Sequence, residues 1–498
     1  MPVSMNQIPS DLRVPLFYAE MDNSQANSGA TQLRRLLIGL ANDDVTVDTE
    51  LLLPASSSEV SVLAGPGSML HEMHVVHRRV DPMGETWVLP LKITAGTKAS
   101  GTFSLSGTAS AAGVLSVYIG DAKVAVSVAN SQSAEDVATA LVNAINAATL
   151  PVTASASVAV VTVTAKFSGE LGNDLRLAVN LRGSAGGEVL PGGIMVSVTQ
   201  MSGGVGVPDL DAALAVLGDE PFEFITHPFT DSAALSSFQA LMDDTSGRWA
   251  WLKKIYGHVY SAKRGTLGEL VTFGRGATND QHMTVAAVEP EVPTSVWRWA
   301  ADFAGRTAVF IAADPARPTQ TGSLPSCMPA PEGKRFGLIE NNSLLWAGMA
   351  TTYYEGGSVR IQRAVTLYQE NSFGQPDDSY LDSETMHQSA AILRRLEAVI
   401  TSKFARHKLA NDGTRFGPGQ AIVTPKTIRG ELIAEYESVE RVGLVENLPT
   451  FAQYLIVERD ETNPNRVNVL FPPDYVNQLR IVALRNEFRL QYPAEMSA

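Results

Sequence analysis

The stretch Leu479-Arg-Ile-Val-Ala-Leu-Arg-Asn-Glu-Phe-Arg-Leu-Gln-Tyr492 lies close to the C-terminal end of this chain and alternates with a period of two. From Val482 onward one parity is mostly apolar and the other is polar, so an extended strand here would bury one face and hydrate the other. The apolar parity comprises Val482, Leu484, Phe488, Leu490 and Tyr492. A long strand with an uncovered apolar face tends to aggregate, so it must pair. Its partner is either a sheet of the same chain or a sheet of another copy.

A second extended segment is predicted near the N-terminus. Pro15 biases the residue before it toward extended geometry, and the alternation continues on both sides of this proline. The residues of this segment are Arg13, Val14, Leu16, Phe17 and Tyr18. A polar stretch that ends at Gly29 follows and is typical of a linker. The sequence therefore predicts a strand-like arm at each end, within residues 1–30 and 478–498.

The composition restricts the class of protein. The chain has 498 residues, which suggests about three domains. Its net charge is −14, which argues against a nucleic-acid partner because such proteins usually carry a basic face. The single cysteine, Cys327, cannot form a disulfide within the chain and fits assembly in a reducing compartment. We find no signal-peptide pattern and no run of 18 apolar residues, so we expect no direct insertion into a membrane.

Between the arms, the sequence predicts an α/β and α+β multidomain fold. Strands and helices alternate in residues 31–94 and again in 207–380, and we expect these two blocks to form one layered α/β domain. Residues 95–206 interrupt it. They contain eleven charged residues and mostly strand-like segments, with one helix that begins at Ser133. Such a block, bracketed by Gly and Ser, is typical of a β-rich outer domain inserted into a surface loop.

A compact α+β domain is predicted for residues 381–477. Asp382 or Ser383 is expected to cap a helix that runs to about Leu409 with an apolar stripe. We expect strands near Leu432–Glu437 and Phe451–Glu458.

No constellation of residues typical of catalysis occurs in the chain. His71, His74 and His77 recur at every third position of a predicted helix, but they do not form the H-E-x-x-H pattern, so we expect a partly exposed helix face rather than a metal site. The acidic residues at 43, 44, 48 and 50 lack calcium-loop spacing. Gly65-Pro-Gly-Ser68 matches no phosphate-binding loop and predicts a break between two helices. We therefore expect no catalytic residue, no cofactor and no metal, and a structural protein rather than an enzyme.

The chain resembles the contractile phage tail sheath proteins of the Mu-like myophage type. The resemblance extends over nearly the whole chain and is carried by many short stretches in order. These stretches are Asn6–Glu20, Leu37–Asp43, Gly65–Leu70, Ala138–Ala148, Gly172–Asp174, Asp314–Pro318, Val359–Val365, Lys408–Gly413, Gly443–Asn447 and Asn465–Leu479.

The resemblance implies a structural subunit of the virion that assembles in the host bacterial cytoplasm. Such proteins form stacked six-fold rings around a tail tube, and they contract to drive the tube through the bacterial envelope during genome delivery. The resemblance also implies that terminal arms add strands to the C-terminal domain of neighbouring copies. Implied partners are further copies, the tail tube protein, and the baseplate and tail terminator proteins. The C-terminal domain would face the tube, and we expect Glu384 and Glu397 to be candidates for that contact.

Two alternatives stay open at this point. The chain could form the sheath of a headless phage-tail-like bacteriocin or injection particle instead of a phage tail. A different class, a surface protein that binds a carbohydrate or receptor, would rest on residues 95–206.

Overall fold

The computed structural model describes residues 33–276 and 278–490. The first elements alternate between strand and helix as predicted. They are β1 (Arg35–Leu40), α1 (Ser57–Ala64), α2 (Met69–Val80) and β2 (Thr86–Leu91). The predicted break separates α1 from α2, where the side chain of Ser68 accepts a hydrogen bond from the backbone N–H of His71. Gly67 has a positive φ of 71°, and a Cβ there would lie 2.3 Å from the carbonyl oxygen of Leu150, so this close approach requires glycine.

Residues 98–202 form two antiparallel sheets and one helix. The elements are β3 (Lys98–Gly107), β4 (Gly113–Ile119), β5 (Ala122–Val128), α3 (Ala134–Ala147), β6 (Val152–Ser157), β7 (Val160–Ser168), β8 (Leu177–Val179) and β9 (Ile194–Ser202). One sheet has the order β6-β7-β3-β9 and the other the order β5-β4-β8. The strands of this module pair only with one another in these two sheets, which is the organisation expected of an inserted unit.

The strand–helix alternation then resumes. Its elements are α4 (Leu210–Ala215), β10 (Phe224–Thr226), α5 (Ser232–Met242), β11 (His258–Arg264), α6 (Leu267–Gly276), β12 (Met283–Val288), α7 (Val296–Ala313), β13 (Ser323–Leu324), α8 (Leu338–Leu345), β14 (Thr351–Glu355) and β15 (Ser358–Arg363). The strands β14 and β15 form an antiparallel hairpin.

Strands from both sides of the insertion form one parallel sheet with the order β12-β11-β10-β1-β2. All six residues of β1 and of β12 are buried, as expected for a parallel sheet that is covered on both faces. Helices α2 and α7 pack against each other. Both helices contact β1, and α7 also contacts β11. His227 lies three positions after Phe224 and directly follows the end of β10. His227 stacks on Phe238 of α5 with ring centroids 3.8 Å apart.

The C-terminal region contains helices and several very short strands. Its elements are α9 (Ser383–Phe404), β16 (Lys408–Leu409), β17 (Ile422–Val423), α10 (Pro425–Arg441), β18 (Val445–Glu446), α11 (Leu448–Tyr454), β19 (Ile456–Arg459), β20 (Val467–Leu470) and β21 (Asp474–Tyr475). The helix α9 begins where it was predicted. A separate core of this region includes Ile392, Leu432, Tyr436 and Phe451.

Two strand predictions in this region are wrong. The segment Leu432–Glu437 lies inside α10. The first half of the predicted strand at Phe451–Glu458 belongs to α11, and only its last three residues belong to a strand, β19. The buried residues of α10 are Pro425, Ile428, Leu432, Tyr436 and Val439, which is a helical spacing. Thr424 caps the helix and Pro425 occupies its first turn, and both are helix-start signals.

The inserted module is fixed to the parallel sheet domain by charged contacts. Arg264 at the end of β11 binds Asp174 through two hydrogen bonds, of 2.6 Å and 3.2 Å. The same carboxylate accepts the backbone N–H of Val296 at 2.9 Å. Val296 is the first residue of α7, and the N-cap residue before it, Ser295, forms no side-chain capping hydrogen bond. Asp174 therefore supplies the helix cap across the module boundary, which gives a physical role to the Gly172–Asp174 stretch.

We predict that Asp174→Asn lowers the free energy of unfolding by about 1–3 kcal/mol, because the buried guanidinium of Arg264 loses its charged partner. Urea unfolding followed by circular dichroism measures the change. Asp48→Asn is the matched control, since Asp48 is exposed. Equal stability of the two variants would contradict a role of Asp174 in joining the module to the sheet domain.

Candidate assembly interface

The C-terminal arm, residues 479–490, leaves the domain as an extended and exposed segment. Within the described residues it forms no strand with any other part of the chain. Its large apolar side chains are mostly exposed, from 69% for Leu479 to 97% for Leu490. The alternative of a last strand in a sheet of the same chain is therefore wrong for the described part of the arm. A strand between copies stays a prediction.

The root of the arm is held by side-chain contacts with the rest of the subunit. The side chain of Arg480 is only 12% exposed and lies 3.0 Å from the carboxylate of Asp382 and 3.2 Å from that of Glu384. Gln320 accepts a hydrogen bond from Arg480 and donates another to the carbonyl of Leu479. We call this group of side chains the arm clamp. It fixes the arm to the start of α9, and the arm continues beyond the clamp from residue 481.

Glu384 holds the centre of the arm clamp. It is fully buried, and its carboxylate also accepts the backbone N–H and the hydroxyl of Thr319, both at 2.8 Å. Asp382 in turn receives two hydrogen bonds from Arg363, at 2.8 and 2.9 Å. The clamp thus joins the arm, α9 and the end of β15. No local sequence pattern indicates the clamp, because its members lie up to 160 positions apart in the chain.

The C-terminal region also offers strand edges without partners. Among the described residues, β19 and β20 pair only with each other, and so do β18 and β21. A two-stranded hairpin is marginally stable by itself. Side chains on the first pair, Ile456, Val469 and Leu470, are between 45% and 57% exposed. The pair β19–β20 is therefore a short sheet with two free edges and an uncovered apolar surface.

A carboxylate–histidine–hydroxyl series lies between α9 and the parallel sheet. The Nδ1 atom of His387 is 2.7 Å from Glu223, and its Nε2 atom is 2.8 Å from the hydroxyl of Tyr260. Arg394 binds the other oxygen of Glu223. Burial alone would raise the pKa of Glu223, but the hydrogen bond from His387 and the charge of Arg394 lower it. Burial raises the pKa of Tyr260 well above its ordinary value. This order of groups resembles a catalytic triad, but the hydroxyl is fully buried, so the series fastens α9 to the sheet.

Residues of the inserted module lie at the edge of the parallel sheet where many α/β proteins bind ligands. The strand order reverses between β1 and β10, and such switch points usually form a crevice at the carboxyl ends of the strands. Here Leu171 and Glu170 of the inserted module, together with Phe229 and Lys263, line a remaining cavity of about 120 Å³. Residues of the insertion therefore form part of the lining at this point of the sheet.

Of the three histidines of α2, His71 is partly exposed, as predicted, whereas the prediction is wrong for the other two. His74 and His77 are buried, and burial lowers the pKa of each to about 4, so both stay neutral near pH 7. The face is buried because α2 packs on α7, with His77 at 3.3 Å from the carbonyl of Ala301. Burial also raises the pKa of the Cys327 thiol. In residues 33–276 and 278–490, no group of three or more His, Cys, Asp or Glu side chains could hold a metal ion.

The predicted N-terminal arm residues at 13, 14, 16, 17 and 18 lie outside the described residues. No helix of the described part of the chain is both long enough and apolar enough to cross a membrane.

Comparison with known proteins identifies the family. Residues 203–367 match the model of the phage tail sheath protein central domain, and residues 375–489 match that of the phage tail sheath C-terminal domain. A Mu-like prophage FluMu tail sheath protein of Haemophilus influenzae is 39% identical over 98% of this chain and the whole of the relative. The chain belongs to the phage tail sheath family. It is therefore a structural component of a phage tail, and thus of the virion, and not an enzyme.

Solved sheath structures are similar over most of the chain. A sheath tail protein from Desulfitobacterium hafniense has 12% identity and a TM-score of 0.47, and the match covers 94% of this chain and 97% of that chain. A chain from the six-fold symmetrised baseplate structure of the anti-feeding prophage has 10% identity and a TM-score of 0.48, with coverage of 96% and 100%.

The two acidic residues that were predicted to contact a tail tube, Glu384 and Glu397, differ in how exposed they are. Glu384 belongs to the arm clamp and is fully buried, so the prediction that it meets a partner is wrong: its carboxylate is engaged by Thr319 and Arg480 inside its own chain. The side chain of Glu397 is 43% exposed and pairs with Lys254, and its contact with a tube stays a prediction.

We predict that Glu384→Gln loosens the root of the arm. The amide can still accept the hydrogen bonds from Thr319, but it loses the charge that holds Arg480, and a charge-assisted hydrogen bond is worth about 1.5–3 kcal/mol. Limited trypsin digestion of the monomer would then cut after Arg480 about tenfold faster, because local opening becomes more frequent. Glu487→Gln on the exposed arm is the control and should leave this rate unchanged. Equal rates in both variants would exclude the clamp.

Proposed function

We propose that this sheath subunit assembles into stacked six-fold rings around a tail tube by exchanging strands between copies. The observation that carries the proposal is the combination, in one chain, of an exposed alternating arm and a two-stranded sheet with free edges. Residues 481–488 of the arm form no strand pairing in the described chain, and the edges of the pair β19–β20 would offer matching N–H and C=O groups. Added strands satisfy main-chain hydrogen bonds and bury alternate side chains.

The acceptor that fits best is the pair β19–β20 of a neighbouring copy. Its exposed side chains Ile456, Val469 and Leu470 would be covered by the apolar parity of the arm. The N-terminal arm, with Arg13, Val14, Leu16, Phe17 and Tyr18, would add to the same sheet. A sheet of three or more strands with an apolar face is stable, whereas the isolated pair is marginal. Each copy thus needs its neighbours to complete its own C-terminal domain.

Contraction is the proposed action of the assembled tube. The domains behave as rigid bodies because charged contacts fasten the inserted module and α9 to the parallel sheet. Rotation would then occur where the arm leaves the clamp, at residue 481, while the strands stay paired in the neighbour. The energy would be stored in the extended packing of the assembly and released on passing to a second packing. The sheath would thereby drive the tube through the bacterial envelope during genome delivery.

The proposed partners are further copies of this chain, the tail tube protein, and the baseplate and tail terminator proteins, with assembly in the cytoplasm of the host. A headless bacteriocin or injection particle would use the same interactions, and the presence of a genome-filled head on purified particles distinguishes the two. No observation on residues 95–206 favours a carbohydrate- or receptor-binding protein.

We predict that deletion of residues 481–498, or of residues 1–20, leaves folded monomers that do not form tubes. Electron microscopy of negatively stained protein measures tube formation, and circular dichroism confirms folding. The first deletion keeps the arm clamp, so a loss of tubes reports the arm alone. Normal tubes from both truncated proteins would refute strand exchange.

A matched pair of variants tests which face of the added strand is buried in the assembly. Leu484→Asn places an amide on the apolar face of the arm and should reduce assembly, because the amide would replace a side chain that is buried in the added strand. Arg485→Asn alters the neighbouring polar position and should assemble nearly as the unaltered protein does. The critical concentration for sedimentation of polymers is the measurement. A larger effect at Arg485 than at Leu484 would show that the opposite face is buried.

A further inference from the structure

One face of the sheet β6-β7-β3-β9 in the inserted module carries mostly hydroxyl groups. Side chains alternate across a strand, and the positions on the inner face, such as Phe103 and Val161, are fully buried. The residues on the outer face lie opposite one another in rows and are exposed or half-buried. One row is Ser155, Thr162, Thr102 and Thr199, and the next row includes Ser104 and Ser197. We call these residues the hydroxyl face.

The hydroxyl face carries no charge. The four strands contain two charged residues, Lys98 and Lys166, and both are turned to the sheet domain. Lys98 lies 3.3 Å from the carboxylate of Asp43, and Lys166 donates a hydrogen bond to the carbonyl of Pro66. Residues 95–206 contain five basic and six acidic residues, a net charge of −1, whereas the whole chain has −14. Almost all of the excess negative charge therefore lies outside the module.

Helix α3 gives the module a second uncharged surface. Its two acidic residues both lie in the first turn, and no charged residue follows them in the helix. Its buried positions include Leu141, which faces the module core. The exposed positions beyond the first turn recur at helical spacing on one face, as expected for an amphipathic helix. They are Thr139, Asn143, Asn146 and Ala147.

These two surfaces lie on opposite sides of the module. Helix α3 packs on β6, β7 and β3, and it covers their apolar face, because the hydroxyl face is open to solvent in the described chain. Asn146 fastens the helix to the sheet: its side chain donates a hydrogen bond of 2.9 Å to the carbonyl of Ala154 and accepts one of 2.8 Å from the N–H of the same residue. Helix and sheet therefore form one body with two different uncharged surfaces.

We propose that the hydroxyl face of one copy packs against the exposed face of α3 in the inserted module of a neighbouring copy. This inference rests on the proposed function, in which identical copies lie side by side in a ring. A closed ring is made of head-to-tail contacts, so each copy must offer two different surfaces that fit each other. The two opposite sides of a single module meet this requirement.

The distribution of charge favours a second copy as the partner of these surfaces. Each copy has a net charge of −14, and like charges that face each other across an interface disfavour association. Because charges act over about 8 Å at physiological ionic strength, identical copies can approach most closely where charge is absent. Hydroxyl groups both donate and accept hydrogen bonds, so the hydroxyl face can pair with the side-chain amide of Asn143 in either orientation.

The size of the contact indicates that it forms only within the assembly. Four strands about 4.8 Å apart, with about six residues of each, give a face of about 300–400 Å². Helix α3 has 14 residues and is about 21 Å long, which matches this face. Stable complexes bury about 800 Å² on each partner. The contact should therefore not join two free copies, but it adds to the assembly once the arms hold neighbours together at high effective concentration.

The test places charges on the two surfaces of the full-length protein. Thr162→Lys alters the centre of the hydroxyl face, and Ser197→Lys is a second variant on its edge strand. Ser127→Lys is the control with the same change in charge, since Ser127 is exposed on β5 of the other sheet. A double variant combines Thr162→Lys with Asn143→Glu. Circular dichroism first confirms folding, and the critical concentration for sedimentation of polymers is then measured at about 0.1 M salt.

We expect Thr162→Lys and Ser197→Lys to raise the critical concentration about tenfold, because each would bury an unpaired charge against an uncharged surface. Ser127→Lys should assemble as the unaltered protein does. Asn143→Glu should restore most of the loss caused by Thr162→Lys through an ion pair between copies, since the two positions lie on opposite sides of one module.

Equal critical concentrations for the face variants and the control would overturn the inference, while the proposed strand exchange would stand. A double variant that assembles no better than Thr162→Lys would also overturn it. So would unchanged assembly together with retention of the unaltered protein, but not of Thr162→Lys, on immobilised polysaccharide of the host surface, because a glycan would then be the partner. If the unaltered protein forms no polymers, the proposed function fails, and this inference fails with it.

Discussion

Beyond Arg480, the described residues of the C-terminal arm join no strand of their own chain, and the rest of the architecture depends on this constraint. An extended segment with one apolar face must find a sheet edge, and the described part of this chain gives it none. The arm clamp, centred on Arg480 and Glu384, holds the root so that only the part beyond it is free. A buried charge pair at that position gives a fixed origin to an otherwise exposed strand.

The other polar contacts explain how a subunit could move as a whole. Glu223, His387 and Tyr260 join α9 to the sheet, and Asp174 and Arg264 join the inserted module to it. Each set lies in or near the interior, where separating the partners would leave buried polar groups unpaired. In the proposed contraction, relative motion would therefore occur in the segments outside these contacts, chiefly the arms. This division between rigid body and arm is what strand exchange during contraction requires.

Much of the fold could be predicted from sequence because local patterns determine it. The parallel strands, the break before Ser68, the insertion and the start of α9 all follow from periodicity, capping and composition. The helix α10 was missed because a short alternation within Leu432–Glu437 outweighed the helical spacing of its buried residues. The arm clamp and the His387 series could not be predicted, since their members are distant in sequence. Glu384 shows the same limit: its acidic character indicated a surface residue, and only the tertiary packing shows that it is buried.

Hydrogen–deuterium exchange of the arm amides tests the central claim most directly. Residues 481–490 are measured by mass spectrometry in the monomer and in assembled sheath tubes. The account predicts rapid exchange in the monomer, where the arm has no backbone partner, and strong protection in the tubes, together with new protection of β19–β20. Arm amides that exchange equally fast in both states, or that are already protected in the monomer, would contradict it.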